Sequence, residues 1–283
     1  MAAAVMAMRP RLMLLPLLAG LTCLSFGLGG QAMPGSGLSG LVAVAVFAAV
    51  GIASIGGFAM SAFCAPALAF LAVEPVAAVR IILVCSIVMQ VLNVWEFRRH
   101  IALGAIAPLL LAGLATVPIG VHLLLVLPKA ASLTAIGTVI CASALWSILR
   151  PAKAQAHAPN LWLDLLAAGL GGITGGIAAF PSAALTVWIG LQRWPKERQR
   201  GVMQPFILVM QVAILATITL MAPATGHPPF DATVMAYALP AILGTAMGLR
   251  VCRALGERHF VRAVQALLLL SGIAMLVSGL LAA

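Results

Sequence analysis

The chain alternates long apolar runs with short basic loops, and that alternation constrains its fold more than anything else in the sequence. Apolar runs occupy Leu12–Gly30, Leu38–Val73, Val76–Trp95, Ile101–Leu127, Ala130–Leu149, Leu161–Leu191, Val202–Met221, Ala232–Leu249 and Val261–Leu281. A helix needs roughly 20 apolar residues to span lipid. Most of these runs are one span long. Leu38–Val73 and Leu161–Leu191 are too long: as a single helix the former would reach about 54 Å against a hydrocarbon core of about 30 Å. Both contain glycine clusters, Gly51 with Gly56-Gly57 and Gly169 with Gly171-Gly172 and Gly175-Gly176. Each is therefore expected to be a hairpin of two short helices broken at the glycines. Only 8% of the residues are charged and 63% are hydrophobic, whereas a soluble domain carries about 25% charge. A soluble enzyme, a disordered chain and a nucleic-acid binder are excluded.

The net charge of +10 is explained by where the basic residues fall. With a cytoplasmic N-terminus and both hairpins returning to their starting side, all 16 lysines and arginines except Arg80 and Lys129 lie on one face. That is the positive-inside pattern. If the second hairpin crossed only once, Arg150–Lys153 and Arg193–Arg200 would be on opposite sides. The N-terminus is then cytoplasmic if the first apolar segment is retained, the C-terminus external, and the protein multi-pass in the inner (plasma) membrane. Residues 1–37 form an extension holding an extra helix or a signal-like segment, since Arg9 and Arg11 before an apolar stretch fit either.

Aligned with itself at an offset of 121 residues, the chain places Gly51-Ile52 on Gly172-Ile173, Ser61-Ala62 on Ser182-Ala183 and Val88–Val91 on Val209–Val212 without a gap. Residues 38–150 and 161–283 thus read as two repeats joined by a cytoplasmic linker at 151–160. Each repeat contains five segments, an odd number, so the second enters from the opposite face. The expected fold is all-α and polytopic, with two inverted repeats and a site near the midplane between them.

Candidate ligand-binding residues follow from this arrangement. Broken helices free backbone N–H groups and present a positive dipole end to anions, which selects Gly56, Gly57, Gly175 and Gly176. Ser54, Ser61, Thr174 and Ser182 adjoin the breaks with hydroxyls. Gln90 and Gln211 are repeat mates midway along their spans, and a buried amide in lipid must find a partner. Arg80 and Arg200 begin counterpart spans, where a guanidinium can hold an oxyanion by two parallel hydrogen bonds. The competing roles are helix packing for the small residues and headgroup anchoring for the arginines. His122 lies within a span, near its end.

Ser54-Ile55-Gly56-Gly57-Phe58 followed by Pro66, and Gly171-Gly172-Ile173-Thr174-Gly175-Gly176 followed by Pro181, resemble the paired glycine motifs of the sulfite exporter TauE/SafE family. Trp194–Arg200 resembles the family's basic turn, and Leu255–Phe260 with Val261–Leu276 its last loop and helix. The resemblance runs from about Leu38 to Leu281. It implies a secondary transporter of sulfite, sulfonates or related small organic anions, probing a sulfur-containing or carboxylate substrate amid membrane lipid, with a homodimer left open. The alternatives are a drug/metabolite-type ten-helix transporter and a non-transporting membrane scaffold. HExxH, GxSxG and paired intramembrane aspartates are absent from the sequence, so no enzyme is expected. Nor is a cofactor: the five cysteines have no CxxC spacing and the histidines no metal-ligand spacing. With no acid placed mid-span, efflux is expected to follow the membrane potential.

Overall fold

The structure is a computed structural model describing residues 40–56, 60–71, 73–101, 103–149, 160–192, 194 and 196–254, with scattered positions between 269 and 281. The N-terminal extension 1–37, most of the 151–160 linker and Gly57 lie outside the described residues. Those described form α-helices and short 3-10 turns, with no strand among them.

The helices are α1 (Gly40–Gly56), α2 (Met60–Phe70), α3 (Pro75–Phe97), α4 (Leu103–Val126), α5 (Lys129–Leu149), α6 (Leu161–Ala178), α7 (Ala183–Leu191), α8 (Lys196–Met221) and α9 (Ala238–Ala254). Five of them, α3, α4, α5, α6 and α8, are long and apolar enough to cross a membrane. Local signals set several starts. Pro75 occupies the first turn of α3, where Glu74 accepts the Ala77 N–H at 2.9 Å. Asn160 caps α6 by accepting from Trp162 N at 3.0 Å. Large apolar side chains also cover the outside, among them Leu111, Leu149, Trp162 and Leu220. A helix that is apolar all round belongs in lipid, and this is an all-helical integral membrane protein.

Both over-long runs divide into two helices, as expected, but the second does not divide at its glycines. α6 continues unbroken through Gly169, Gly171, Gly172, Gly175 and Gly176 to Ala178. The interruption falls at Ala179–Ser182, where Ala179 adopts φ 52° and Pro181 follows. Glycine is tolerated in membrane helices and serves there for close approach. On one face of α6, a Cβ at Gly176 would lie 2.5 Å from the Gly120 carbonyl carbon of α4, and one at Gly172 would collide with Thr116 and Gly113. The Thr116 hydroxyl donates to Gly169 O at 2.6 Å and locks the pair. On the neighbouring face, a Cβ at Gly171 would meet Pro181 O at 2.5 Å and one at Gly175 would meet Pro181 Cβ at 3.0 Å. The glycines make room for the interruption to fold back without themselves breaking the helix.

A second interlocked pair is α1 with α9. A Cβ at Gly244 would lie 2.5 Å from Phe47 O, and one at Gly248 would strike Gly51 O. Between the two pairs, α3 and α8 pack antiparallel. Gln211 bonds Ser86 in the middle, Arg80 reaches Pro229 just beyond α8, and Gly201 abuts His100 at the other end. The helices therefore pair across the two sequence halves: α1 with α9, α6 with α4, and α3 with α8. At the His100 end, Arg98 covers the Trp95 ring at 4.2 Å and Arg198 the Trp194 ring at 4.3 Å. Tryptophan and arginine of this kind collect at membrane interfaces.

Gly176→Val is expected to destabilise the protein by at least about 3 kcal/mol, because the atoms it meets are backbone and cannot rotate away. Gly104→Val should stay within about 0.5 kcal/mol, since nothing lies within 4 Å of its Cβ position. Thermal unfolding in detergent compares the two.

Candidate functional site

The two helix interruptions meet at one small cavity. Met60 and Ser61, opening α2, face Ala179–Ser182 between α6 and α7, and the sides are closed by Ser86, Met89 and Gln90 of α3 with Ile207 and Gln211 of α8. The cavity is tight, about 10 Å³, room for about one water molecule as the side chains stand. The N-termini of α2 and α7 both abut this space, and each contributes about half a positive charge of backbone dipole.

The α6–α7 interruption is held by its own bonds. The Thr174 hydroxyl lies 3.1 Å from Phe180 O and 3.0 Å from Leu170 O, a donor bridging helix and turn. Ala183 N donates to Phe180 O at 3.3 Å. Trp188 Nε1 donates to Asp164, tying α7 back along α6. Ser182 makes no side-chain capping bond, so its hydroxyl is not consumed by the start of α7.

Polar atoms in the cavity are incompletely paired. Gln211 Nε2 donates to Ser86 Oγ at 2.6 Å, while Gln211 Oε1 and Ser61 Oγ have no hydrogen-bond partner. Asn93 Nδ2 donates to Gln90 Oε1 at 3.2 Å, orienting that amide from one turn away. Ser61, Gln90, Ser182 and Gln211 are each no more than 2% exposed. Leaving Ser61 Oγ and Gln211 Oε1 unpaired in the interior costs about 1–3 kcal/mol each. Among the described residues lining the cavity, none is charged and none is a histidine. Among the described residues no three His, Cys, Asp or Glu side chains come together as metal ligands.

Four pairs of lining residues are separated by the 121-residue offset: Met60 with Pro181, Ser61 with Ser182, Ser86 with Ile207, and Gln90 with Gln211. Of the residues selected from sequence, the cavity gathers Ser61, Gln90, Ser182 and Gln211. Ser54 donates to Val50 O of its own helix at 2.7 Å. Thr174 braces the turn from behind. Gly175 and Gly176 are packing positions within α6, and Gly56 ends α1. Arg80, 4% exposed, and half-buried Arg200 stand at opposite ends of the α3/α8 pair, away from the cavity. His122 is exposed on the outside of α4.

Sequence reasoning passed over Ser86. The signal was present: Ser86, Gln90 and Asn93 recur at helical spacing on one face of an otherwise apolar span.

A larger open groove between α5, α6 and α7 is walled by Trp146, Leu166, Leu170 and Trp188. Its hydroxyls are committed to backbone, Ser143 to Val139 O at 2.8 Å and Thr174 to the turn. It offers an anion little, whereas the smaller cavity offers unpaired polar atoms.

Fold and cavity together describe a polytopic, all-helical membrane protein with a small buried polar cavity where α2 and α7 begin. The sulfite exporter TauE/SafE family matches the chain over residues 41–275, and the protein belongs to that family. No curated protein and no solved structure matches it.

Ala179 holds a left-handed conformation that costs an L-residue about 1–2 kcal/mol. Ala179→Gly should leave stability within about 1 kcal/mol of the parent or raise it, because relief of strain is offset by added chain entropy. Ala179→Val should lower it by about 2 kcal/mol or more, as a β-branched residue fits φ 52° worst. Unfolding midpoints of the two variants give the check.

Proposed function

We propose that this protein is a secondary transporter exporting a small sulfur oxyanion such as sulfite, or a sulfonate or related small organic anion, across the plasma membrane. The observation that carries the reading is the convergence of four offset-related residue pairs on one cavity bounded by both helix interruptions. A site built from equivalent residues of two halves suits alternating access, in which one half rocks against the other around a fixed midplane position. We take residues 38–150 and 161–283 to be the two halves, inverted relative to each other, with the N-terminus cytoplasmic and the C-terminus external. The exchange of helix partners supports this arrangement, as does the gathering of Trp95, Arg98, Trp194 and Arg198 at one end of α3 and α8.

Binding is by hydrogen bonds and helix dipoles. The Ser61 and Ser182 hydroxyls donate to anion oxygens, the N-termini of α2 and α7 add positive potential, and Gln90 and Gln211 orient the ligand through their amides. The glycines of α6 hold the frame, and Arg200 stands in the basic region at one end. A hydrogen bond to a charged group contributes about 1.5–3 kcal/mol. Ser61→Ala and Gln211→Leu should therefore each lower sulfite flux into or out of proteoliposomes by about tenfold or more. Leu111→Ala, on the lipid-facing surface and 72% exposed, should leave it unchanged. Equal flux in all of these proteins would remove the cavity from the transport path.

Among its described lining residues the cavity has no acid or histidine to carry a proton. We infer that the membrane potential drives efflux. Each elementary charge moved through 100 mV contributes about 2.3 kcal/mol. A divalent anion leaving an inside-negative cell gains about 4.6 kcal/mol, enough for a concentration ratio on the order of a thousand. Flux with potential and proton gradient clamped separately should follow the potential. Flux that follows the proton gradient at zero potential, after correction for protonation of the anion itself, would overturn potential-driven efflux.

A further inference from the structure

Arg80 is an arginine that the fold has buried and left half unpaired. It sits in the second turn of α3, only 4% exposed, at the end of the α3/α8 pair where α8 stops at Met221. Its Nη1 donates to Pro229 O at 3.2 Å, in the connection between α8 and α9. Its Nε and Nη2 are both buried and have no hydrogen-bond partner. The nearby carboxylate of Glu74 attracts the guanidinium across space but makes no hydrogen bond to Nε or Nη2, and it accepts the Ala77 N–H at 2.9 Å as the cap of α3. Removing a guanidinium from water without pairing it is among the costliest arrangements a protein can contain.

The pattern of what is free is informative. Nε and Nη2 lie on one side of the planar guanidinium and their N–H bonds run parallel. That edge matches two oxygens carried on a single atom, the side-on bidentate geometry of carboxylate, sulfonate and phosphate recognition. A snorkelling anchor would instead extend its nitrogens into water or headgroups and keep them solvated. Here the third nitrogen is spent on a backbone carbonyl, which fixes the plane of the group and aims the free edge. The connection supplying that carbonyl is itself secured on both sides. His227 Nε2 is 3.0 Å from Leu125 O at the end of α4, and Cys85 Sγ donates to Tyr237 O at 3.5 Å. The edge is therefore held by three elements, α3, α4 and the α8–α9 connection.

We propose that Arg80 is a second anion-binding position, separate from the Ser61–Gln211 cavity, whose Nε–Nη2 edge takes two oxygens of one oxyanion while Nη1 keeps the Pro229 carbonyl. The ligand class is an oxyanion with at least two oxygens on a single centre, supplied either by a free sulfite- or sulfonate-type ion or by the phosphate of an anionic lipid. Arg80 and Gln90 are ten residues apart on α3, about 15 Å along the helix. One small anion cannot touch both. The position does not depend on the anion being transported.

The test uses the full-length protein, delipidated in detergent, in a Ser61→Ala/Gln211→Leu background that removes the unpaired atoms of the cavity. Sodium sulfite and sodium methanesulfonate are the probes, with monatomic chloride, which has no oxygens to offer, as control. Sulfite or methanesulfonate should raise the unfolding midpoint where chloride does not. Arg80→Lys, which keeps the charge and loses the edge, should weaken that response at least tenfold in apparent affinity, and Arg80→Met should abolish it. In anion-free buffer Arg80→Met should unfold at a higher temperature than its parent, because it removes a buried guanidinium with two unmade hydrogen bonds. A residue whose only role is to brace Pro229 would give the opposite shift.

Native mass spectrometry separates the two sources. Co-purified anionic phospholipid that is lost in Arg80→Met assigns the edge to a lipid phosphate. A sulfite response in the delipidated protein assigns it to a free ion. If neither ion nor lipid binding changes in Arg80→Lys or Arg80→Met, the proposal is overturned, and flux sensitive to Ser61→Ala and Gln211→Leu would still stand. If Arg80→Met does not fold, the affinity ratio between parent and Arg80→Lys decides.

Discussion

Backbone-to-backbone contact between α6 and α4 is the constraint on which the rest of the architecture depends. In lipid there is no hydrophobic drive between helices, so association comes from close packing and from hydrogen bonds that cannot be made to solvent. Gly172 and Gly176 bring α6 against Gly113 and Gly120 with no side chain between them, and Thr116 adds a hydrogen bond across the seam. Once α6 is fixed there, Gly171 and Gly175 present a bare adjacent face, and Pro181 folds into it. That fold sets the direction of α7 and turns Ser182 toward α3. The same device recurs where Gly244 and Gly248 receive α1 at Phe47 and Gly51. Two glycine seams thus position both interruptions, and the cavity is the space they leave between them.

What fills that space is polar and neutral. Membrane interiors penalise unpaired amides and hydroxyls nearly as soluble cores do. Ser61 Oγ and Gln211 Oε1 are therefore retained at a cost that packing alone does not require. Leucine at Gln211 would fill a similar volume without leaving an oxygen unsatisfied. A half-satisfied polar network is a poor way to stabilise a fold and a reasonable way to prepare a binding site.

Several spans were legible in the sequence because lipid leaves little choice: α3, α4 and α5 end within about two residues of their apolar runs, while α8 starts at Lys196, before the run at Val202, and α9 at Ala238, after the run start at Ala232. The pairing of Ser61 with Ser182 and Gln90 with Gln211 was legible from the repeat offset. The position of the second interruption was not. Glycine in a soluble helix reads as a break, but inside lipid the alternative to an intact helix is an unsatisfied backbone, and α6 stays whole until Ala178. The break was carried by Pro181 and a left-handed Ala179, and alanine gives no warning of φ 52°. Ser54 and Thr174 were chosen for standing near glycines, yet a serine or threonine in a helix has its own carbonyl four residues back within reach. Ser54 takes Val50 O, and Thr174 divides between Leu170 O and Phe180 O. Ser86 gives no signal at a helix break; its signal lies in the spacing of Ser86, Gln90 and Asn93 on one face of α3.

Charge at the ends and neutrality in the middle have a physical logic for an anion carrier. An arginine in the cavity would attract a dianion strongly, since charges at close range in a low-dielectric interior interact far more strongly than in water. The same attraction would oppose release on the far side, and passage requires binding that favours entry without trapping. Hydroxyls, amides and helix N-termini replace hydration by many modest contacts, none of which dominates. The guanidinium of Arg80 stands roughly 15 Å further along α3, where on the proposed reading it holds an oxyanion apart from the neutral site. Arg200, at the opposite end of the antiparallel pair, lies within the basic cluster of α8. For an anion carrier of the proposed kind, either charge placed inside the cavity would strengthen binding at the expense of release.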